Sequence, residues 1–156
     1  TYSGTVAGAL EGVLLGAPAL AVSQQRVRGR FDFQQAAGIT KELSEIVLQN
    51  GLPSRTFLNV NVPHRRARGV KVTIQAKRNH RTSVAEAFDP RRQAYYWIDQ
   101  AQLDREADGR SDYEMVQNGW ISITPLQSDW TAHGSIEKVK SLVGCVPRVE
   151  MSLRNR

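Results

Sequence analysis

The chain has 156 residues, a length that corresponds to about one domain. Hydrophobic residues make up 40% and charged residues 23% of it, which is ordinary globular composition and excludes a disordered or fibrous chain. The single cysteine, Cys145, excludes an internal disulfide framework and a multi-cysteine zinc site, and the net charge of +6 suggests anionic partners in general.

The first residues look like the interior of a longer protein, because there is no initiator Met and structure-forming sequence begins at once at Thr1. Val6–Val22 is a nearly apolar run of 17 residues. Glu11 lies inside this run, Pro18 ends any helix, and no Lys or Arg precedes it. We therefore expect a buried helix and a buried strand rather than a membrane span or a secretory signal, in a protein of the cytoplasm.

A glycine-rich helix is predicted over Ser3–Leu15. Its glycines recur every four residues and share one face: Gly4, Gly8, Gly12 and Gly16. Each glycine costs the helix roughly 1 kcal/mol relative to alanine, so we expect this face to pack closely on a sheet. The next segment, Pro18–Ser23, is apolar on both faces, which is typical of a strand in a parallel sheet covered by helices on each side.

The next elements are a helix and two strands. Phe33–Gln49 carries a broad apolar stripe and is followed by Asn50-Gly51, which predicts a helix and its end. Apolar residues alternate with others over Thr56–Val62 and Val70–Ile74, and both segments are therefore predicted strands. The side chains expected to face the interior from the second strand are Val70, Val72 and Ile74.

Residues 82–98 are predicted to form an inserted hairpin. Two strand-like runs flank Asp89-Pro90-Arg91-Arg92, which is turn sequence, and the second run contains the strand-forming Tyr95-Tyr96-Trp97-Ile98. The segments predicted after it are an acidic loop over 101–111, a short helix over Asp112–Asn118, a strand over Trp120–Thr124 that Pro125 ends, a last helix over Trp130–Val143 and a flexible tail over 144–156.

The order of these elements is that of an α/β protein, with residues 1–143 in a single domain. A sheet built from β-α units begins with a strand, whereas the first element here is a helix. We therefore expect that a strand of the same domain belongs upstream of Thr1.

Ser3, Gly4 and Thr5 form the first candidate site, at the start of the glycine-rich helix. Free backbone N–H groups and the helix dipole attract an anion such as phosphate at this position, and the glycine lets ligand oxygens come close. The simpler interpretation is that the hydroxyl of Ser3 or Thr5 only caps the helix.

Other polar clusters give weaker indications. Residues 104–109 resemble the start of an EF-hand calcium loop, but Met115 stands where the bidentate Glu belongs, so we interpret them as a solvated acidic loop. Three histidines lack a histidine or cysteine at metal-ligand spacing and are interpreted as structural or surface residues: His64, His80 and His133. Asp129 is four residues before His133, a spacing that allows the two to pair across one helical turn.

Positive charge is concentrated between His64 and Arg92. This stretch has nine basic residues against two acidic ones, a net charge of +7. Such a surface favours nucleic acid or steers nucleotides, but no signature of a nucleic-acid-binding fold accompanies it. We interpret it as a solvated strand edge or a substrate-steering surface rather than a dedicated nucleic-acid interface.

Six stretches together resemble the SurE family, the survival-protein 5′-nucleotidases. They are Tyr2-Ser3-Gly4-Thr5-Val6 with Leu10-Glu11-Gly12; Gly16-Ala17-Pro18-Ala19-Leu20-Ala21-Val22-Ser23; Leu58-Asn59-Val60-Asn61-Val62-Pro63; Gly69-Val70-Lys71-Val72-Thr73; Asp89-Pro90-Arg91 with Tyr95-Tyr96-Trp97-Ile98; and Ser122-Ile123-Thr124-Pro125-Leu126-Gln127 followed by Asp129, Thr131, Ala132 and His133. Their order and spacing match the family from Thr1 to about Val143, which makes the set far more specific than any one of them.

The resemblance implies a Rossmann-like three-layer αβα core, with the hairpin inserted in it and a C-terminal helix after it. It implies a metal-dependent phosphomonoesterase, a 5′/3′-nucleotidase, with a nucleoside monophosphate as substrate. It implies a homodimer or homotetramer in which the hairpin and the C-terminal helix exchange between protomers. For Ser3, Gly4 and Thr5 it implies phosphate binding, because they match the family's phosphate-facing helix start.

The family's metal ligands are missing from this sequence. The resemblance implies a divalent metal, Mg or Mn, held by an Asp-Asp pair, a Ser and an Asn that would all precede Thr1, so no metal ligand and no catalytic residue is assigned here. We expect the intact protein to be a nucleotidase and this chain alone to be inactive. The alternative is a non-catalytic basic module for oligomerisation or nucleic-acid binding.

Overall fold

The computed structural model describes residues 3–26, 32–77, 82–100 and 109–143. The helices in these ranges are α1 (Gly4–Leu14), α2 (Gln34–Asn50), α3 (Asp112–Gln117) and α4 (Ile136–Val143), the last preceded by a 3-10 turn over His133–Ser135. The strands are β1 (Leu20–Gln24), β2 (Thr56–Val62), β3 (Val70–Val72), β4 (Thr82–Phe88), β5 (Ala94–Gln100) and β6 (Ile121–Gln127).

One mixed sheet contains four of the strands, in the order β1-β2-β6-β3. β1 and β2 are parallel, with Leu20 opposite Leu58, as expected for the first buried strand. β6 runs antiparallel to β2 and parallel to β3. Because α1 packs on one face of this sheet and α2 on the other, the predicted three-layer α/β core is confirmed.

Alternation along β2 divides the core between the two faces of the sheet. Val60 and Val62 face α2, where they pack with Ala36. Phe57 faces α1, where it packs with Ala9. All five side chains are buried, so β2 is a central strand with a hydrophobic layer on each side.

Close packing of the glycine row in α1 occurs at one position. A Cβ added at Gly12 would lie 3.3 Å from the Cβ of Ala19, which is tighter than ordinary contact. At Gly4 and Gly8 an added Cβ would meet no described atom within 4 Å, so the prediction that the whole glycine face packs on the sheet is wrong there. The helix contacts the sheet mainly through Ala9 and its apolar neighbours.

The predicted orientation of β3 is wrong. Val70, Val72 and Ile74 are 45%, 79% and 46% exposed, whereas Thr73 is only 5% exposed. β3 is the outer strand of the sheet, and α2 packs against β1 and β2 at the other side of it. The apolar side chains of β3 therefore have no helix over them among the described residues.

Pro125 does not end the strand that contains it, since β6 continues to Gln127. The N–H of Leu58, which is opposite Pro125, donates to the carbonyl of Ala19 on the β1 side. Leu58 and Pro125 therefore form a non-hydrogen-bonded pair between β2 and β6. Proline is tolerated at this position because its missing N–H removes no hydrogen bond to β2. On its other side Pro125 lies beyond the β3 pairing, which ends at Ile123.

The last helix begins at Ile136 rather than at Trp130. The carboxylate of Asp129 accepts the N–H of Thr131 at 2.8 Å, and such a local turn competes with helix formation. Gly134 lowers the helix propensity of the same segment. The six-residue error in the predicted start has these two local causes.

β4 and β5 form the hairpin expected from the sequence, with Val84 opposite Ile98. Oδ1 of Asp89 accepts the N–H groups of Arg91 and Gln93 at 2.8 Å each, which closes the turn. The large side chains of the hairpin that remain 42–64% exposed are Val84, Phe88, Tyr95, Tyr96 and Trp97.

Some predictions fall outside the described residues: those for the loop over 101–108, for His80 and for the tail over 144–156. Among the helices that the structure describes, none combines the length and the apolar character needed to cross a membrane.

Candidate functional site

A cavity of about 1230 Å³ opens on the α1 face of the sheet. One wall consists of α1, from Ser3 at its start to Leu10, and Ser23 of β1 lies beside the same end. The floor residues, all from β2, are Phe57, Asn59 and Asn61. Ligands of open α/β sheets bind outside the carboxyl ends of parallel strands, where Ser23 and Asn61 lie, so this cavity is the candidate site.

The start of α1 is capped by Ser3. Its Oγ accepts the N–H of Val6 at 3.2 Å, and its backbone is extended, as the N-cap position requires. The first turn holds no acidic residue. Gly4 and Thr5 follow as exposed residues whose N–H groups have no acceptor within the helix. The capping interpretation is thus confirmed for Ser3, and it leaves the N–H groups of the next two residues available.

Two asparagine side chains occupy the middle of the cavity floor. Asn59 is only 9% exposed and Asn61 is half-buried, and both lie on the α1 face of β2. Within the described part of the chain, neither side-chain amide has a hydrogen-bond partner. Sequence reasoning treated both only as alternating strand positions, although asparagine is depleted in strands and a pair of them in an apolar strand was a usable signal.

A hydroxyl cluster lies next to the asparagines and consists of Thr73, Ser122 and Thr124. Oγ1 of Thr73 lies 2.7 Å from Oγ of Ser122 and 2.7 Å from Oγ1 of Thr124. All three residues are buried, at 5%, 0% and 2% exposure. Ser122 and Thr124 are opposite Asn61 and Asn59 in the strand pairing, so the cluster continues the polar layer across the sheet. It was not found from the sequence, because Thr73 follows β3 whereas Ser122 and Thr124 belong to β6, about fifty residues later.

Two carboxylates line the other end of the cavity. Oδ1 of Asp112 accepts the N–H of Ala76 at 3.0 Å. Oδ2 of Asp129 lies 2.9 Å from Nε2 of His133, which confirms the pair expected from their spacing. Hydrogen bonding by Thr131, and then by His133, holds the pKa of Asp129 well below its usual range.

His64 belongs to a surface network. Its Nδ1 lies 2.9 Å from Oε1 of Gln25, and its Nε2 accepts from Nε of Arg65 at 3.1 Å. The residue is exposed, in agreement with the surface role expected for it.

Part of the basic stretch stacks on a tryptophan. The guanidinium of Arg68 lies 5.2 Å, and Nζ of Lys71 4.7 Å, from the ring centroid of Trp120. These contacts are favourable at a protein surface. Among the described residues that line the cavity, none is basic. The two cations therefore stabilise this surface rather than the cavity.

The described residues do not fit a metal site. They contain no group of three or more His, Cys, Asp or Glu side chains that would hold an ion. Asp112 and Asp129, the two carboxylates of the cavity, already accept hydrogen bonds from the chain itself. No chemical step is assigned to a metal on these residues.

Comparisons with known proteins identify relatives of the chain. The family model for the survival protein SurE matches residues 1–82. Proteins named 5′-nucleotidase SurE from Citrifermentans bemidjiense and Aquifex aeolicus are 44% and 39% identical to the chain and cover 90% and 91% of it. The chain spans only 58% and 57% of their own lengths.

A solved structure is similar as well. The crystal structure of the SurE protein from Aquifex aeolicus superposes with a TM-score of 0.71 at 36% sequence identity. The similarity covers 91% of this chain and 58% of that one. The core of this chain therefore has the same fold as the corresponding part of a longer relative.

Proposed function

Since the chain belongs to the survival protein SurE family, we propose that its whole protein hydrolyses nucleoside monophosphates as a 5′/3′-nucleotidase. The relatives named 5′-nucleotidase SurE support this reaction class. The chain corresponds to little more than half of each of them, so the proposal concerns the whole protein.

The start of α1 is proposed to bind the phosphate of the substrate. The observation that carries this proposal is the position of Ser3 on the cavity, with the N–H groups of Gly4 and Thr5 directly after it. An α-helix start favours an anion through these N–H groups and the helix dipole. No acidic residue in the first turn opposes the phosphate charge. The open space at Gly4, where an added Cβ meets no described atom within 4 Å, leaves room for ligand oxygens.

Hydrolysis is proposed to require a divalent ion, Mg or Mn. A phosphate monoester resists attack because its negative charge repels an oxygen nucleophile, and a metal ion is the usual means of neutralising that charge. From the family resemblance we propose that the ligands lie in parts of the protein outside this chain, and the described residues hold no group of side chains that would take their place. This chain alone is then expected to bind phosphate without turning substrate over.

The experiment that tests the function compares two proteins. Phosphate release from AMP is measured with Mn²⁺ or Mg²⁺, for this chain and for a version extended to the length of its relatives. We expect turnover from the extended protein only. Equal turnover by both would contradict the assignment of the metal site to the rest of the protein, and none by the extended protein would contradict the nucleotidase function.

The hairpin and α4 are proposed to join protomers into a homodimer or homotetramer by exchange. The hairpin exposes Tyr95, Tyr96 and Trp97, and an isolated two-stranded hairpin is only marginally stable in water. α4 exposes Val139 and Leu142 among other apolar side chains. Exposed apolar surfaces of this kind favour burial in an interface. In a symmetric oligomer each copy of the chain buries the same surfaces of its neighbour.

A further inference from the structure

We propose that Asn59, together with Asn61, binds the sugar hydroxyl groups of the substrate nucleotide. This inference rests on the function proposed above and extends it from the phosphate to the nucleoside. It concerns the cavity floor, which the phosphate proposal does not use.

Asn59 is a polar side chain on the cavity floor. It lines the cavity, and its amide has no hydrogen-bond partner within the described part of the chain. Asparagine is a poor strand residue, and β2 is a central strand of the sheet. The next residues of β2 on the same face are Phe57 and Asn61. A polar group kept at such a position is typical of a binding site, where function is retained at the expense of stability.

The hydroxyl cluster beside the asparagines is satisfied by its own members. Thr73 hydrogen-bonds to both Ser122 and Thr124, so every hydroxyl of the cluster has a partner within the chain. The amides of Asn59 and Asn61 line the cavity without such a partner among the described residues. Each amide offers one carbonyl acceptor and two N–H donors.

The chemistry and the position of the amides both favour a sugar. The amides and the cluster beside them are neutral, and hydroxyl groups, which donate and accept at once, match an amide in both directions. Asn61 is opposite Ser23 in the pairing of β1 and β2, and Asn59 lies roughly 7 Å away from it along β2. In a nucleotide the sugar is bonded directly to the phosphate and the base lies beyond it. A phosphate at the start of α1 therefore brings the sugar, before the base, over these two residues.

The test uses this chain with Asn59→Val, which keeps a strand-forming residue, and Asn118→Ala, an exposed asparagine at the end of α3, as the control. Affinities are measured by calorimetry for inorganic phosphate, AMP, 2′-deoxy-AMP and 3′-deoxy-AMP. The side-chain amide signal of Asn59 is followed by NMR in the same titrations. We expect Asn59→Val to weaken AMP about tenfold and to leave phosphate unchanged, since it removes one buried hydrogen-bonding partner of the sugar.

The deoxynucleotides identify the contact. The unchanged chain is expected to bind the deoxynucleotide that lacks the contacted hydroxyl about tenfold more weakly than AMP. The Asn59→Val variant should bind this deoxynucleotide and AMP with equal affinity, because the two changes remove the same interaction. Asn59→Val is also expected to raise the melting temperature, because valine is a better strand residue than asparagine. Additive losses, or equal losses for phosphate and AMP, would each overturn the inference.

The two proposals fail in different ways. If inorganic phosphate does not bind and Gly4→Ala leaves the AMP affinity unchanged, while AMP binding still depends on Asn59 and a sugar hydroxyl, the phosphate site is wrong and the sugar contact stands. If phosphate binds but the Asn59 amide signal does not respond to AMP, the sugar contact is wrong and the phosphate site stands.

Discussion

The carboxylate of Asp129 and the imidazole of His133 are hydrogen-bonded at 2.9 Å in the segment that joins β6 to α4. Thr131 donates to the same carboxylate at 2.8 Å. Both contacts lie within five residues, directly after the end of β6. They also keep the carboxylate ionised at acidities where a free aspartate takes up a proton.

The titration of Asp129 is therefore expected to have a midpoint well below the usual aspartate range. A pKa that is lower in the folded state contributes stability above the unfolded pKa, and this contribution is lost only as the pH falls toward the folded pKa. His133→Ala should raise the pKa of Asp129 without restoring its usual value, because Thr131 is the larger cause. Carboxyl NMR measures both midpoints, with His64→Ala as the control; an ordinary midpoint in the unchanged chain would contradict this account.

Gly4→Ala separates the phosphate site from the stability of α1. An added Cβ meets no described atom within 4 Å, so the variant should fold and be at least as stable as the parent. A bound phosphate would meet the new methyl group, and we expect phosphate affinity to fall several-fold. Gly8→Ala is the matched control, since it also has open space and should stabilise the helix by up to about 1 kcal/mol with unchanged phosphate affinity. Equal affinities in both variants would count against phosphate binding at this helix start.

Thr73→Val tests the hydroxyl cluster. The substitution preserves size but leaves Ser122 and Thr124 without their common partner in a buried site, which should lower the free energy of unfolding by about 1–3 kcal/mol. Thr40→Val is the control, because the hydroxyl of Thr40 bonds only to the carbonyl of Ala36 within α2. Urea unfolding of both variants gives the comparison. Similar losses in the two would mean that the cluster adds nothing beyond an ordinary threonine.

Trp97→Ser tests the proposed exchange between protomers. Trp97 is 63% exposed on β5, and its removal should shift the chain toward monomer in light scattering, because aromatic side chains dominate such interfaces. Leu48→Ser removes an apolar side chain that is 75% exposed on α2 and should leave the assembly unchanged. A parent chain that is already monomeric at high concentration would contradict the exchange.

Much of the fold could be predicted from local patterns. An apolar stripe at helical spacing gave α2, and period-two alternation gave β2, because each pattern reflects which side of one element is buried. The glycine-rich segment gave α1, and turn sequence between strand-forming runs gave the hairpin. The pair of Asp129 and His133 followed from their spacing alone. The helix start at Ser3 could be recognised for the same reason, since a cap is a local interaction.

The errors at β3 and β6 arose where the outcome depends on a neighbour distant in sequence. Val72 alternates like a core residue, yet it lies on the outer strand, beyond the reach of α2. Pro125 remains inside β6 because the N–H of Leu58 donates to Ala19 and not to β6. That hydrogen bond depends on the position of β1 beside β2. Neither fact is present in the local sequence.

The sequence by itself determined the elements, the α/β class and the helix start, since these depend on contacts within a few residues. Only the tertiary structure placed Asn59 beside Thr124 and on the floor of a cavity. The reason is physical: which side chains line a cavity depends on which strands meet, and strand order is set by the packing of the whole sheet.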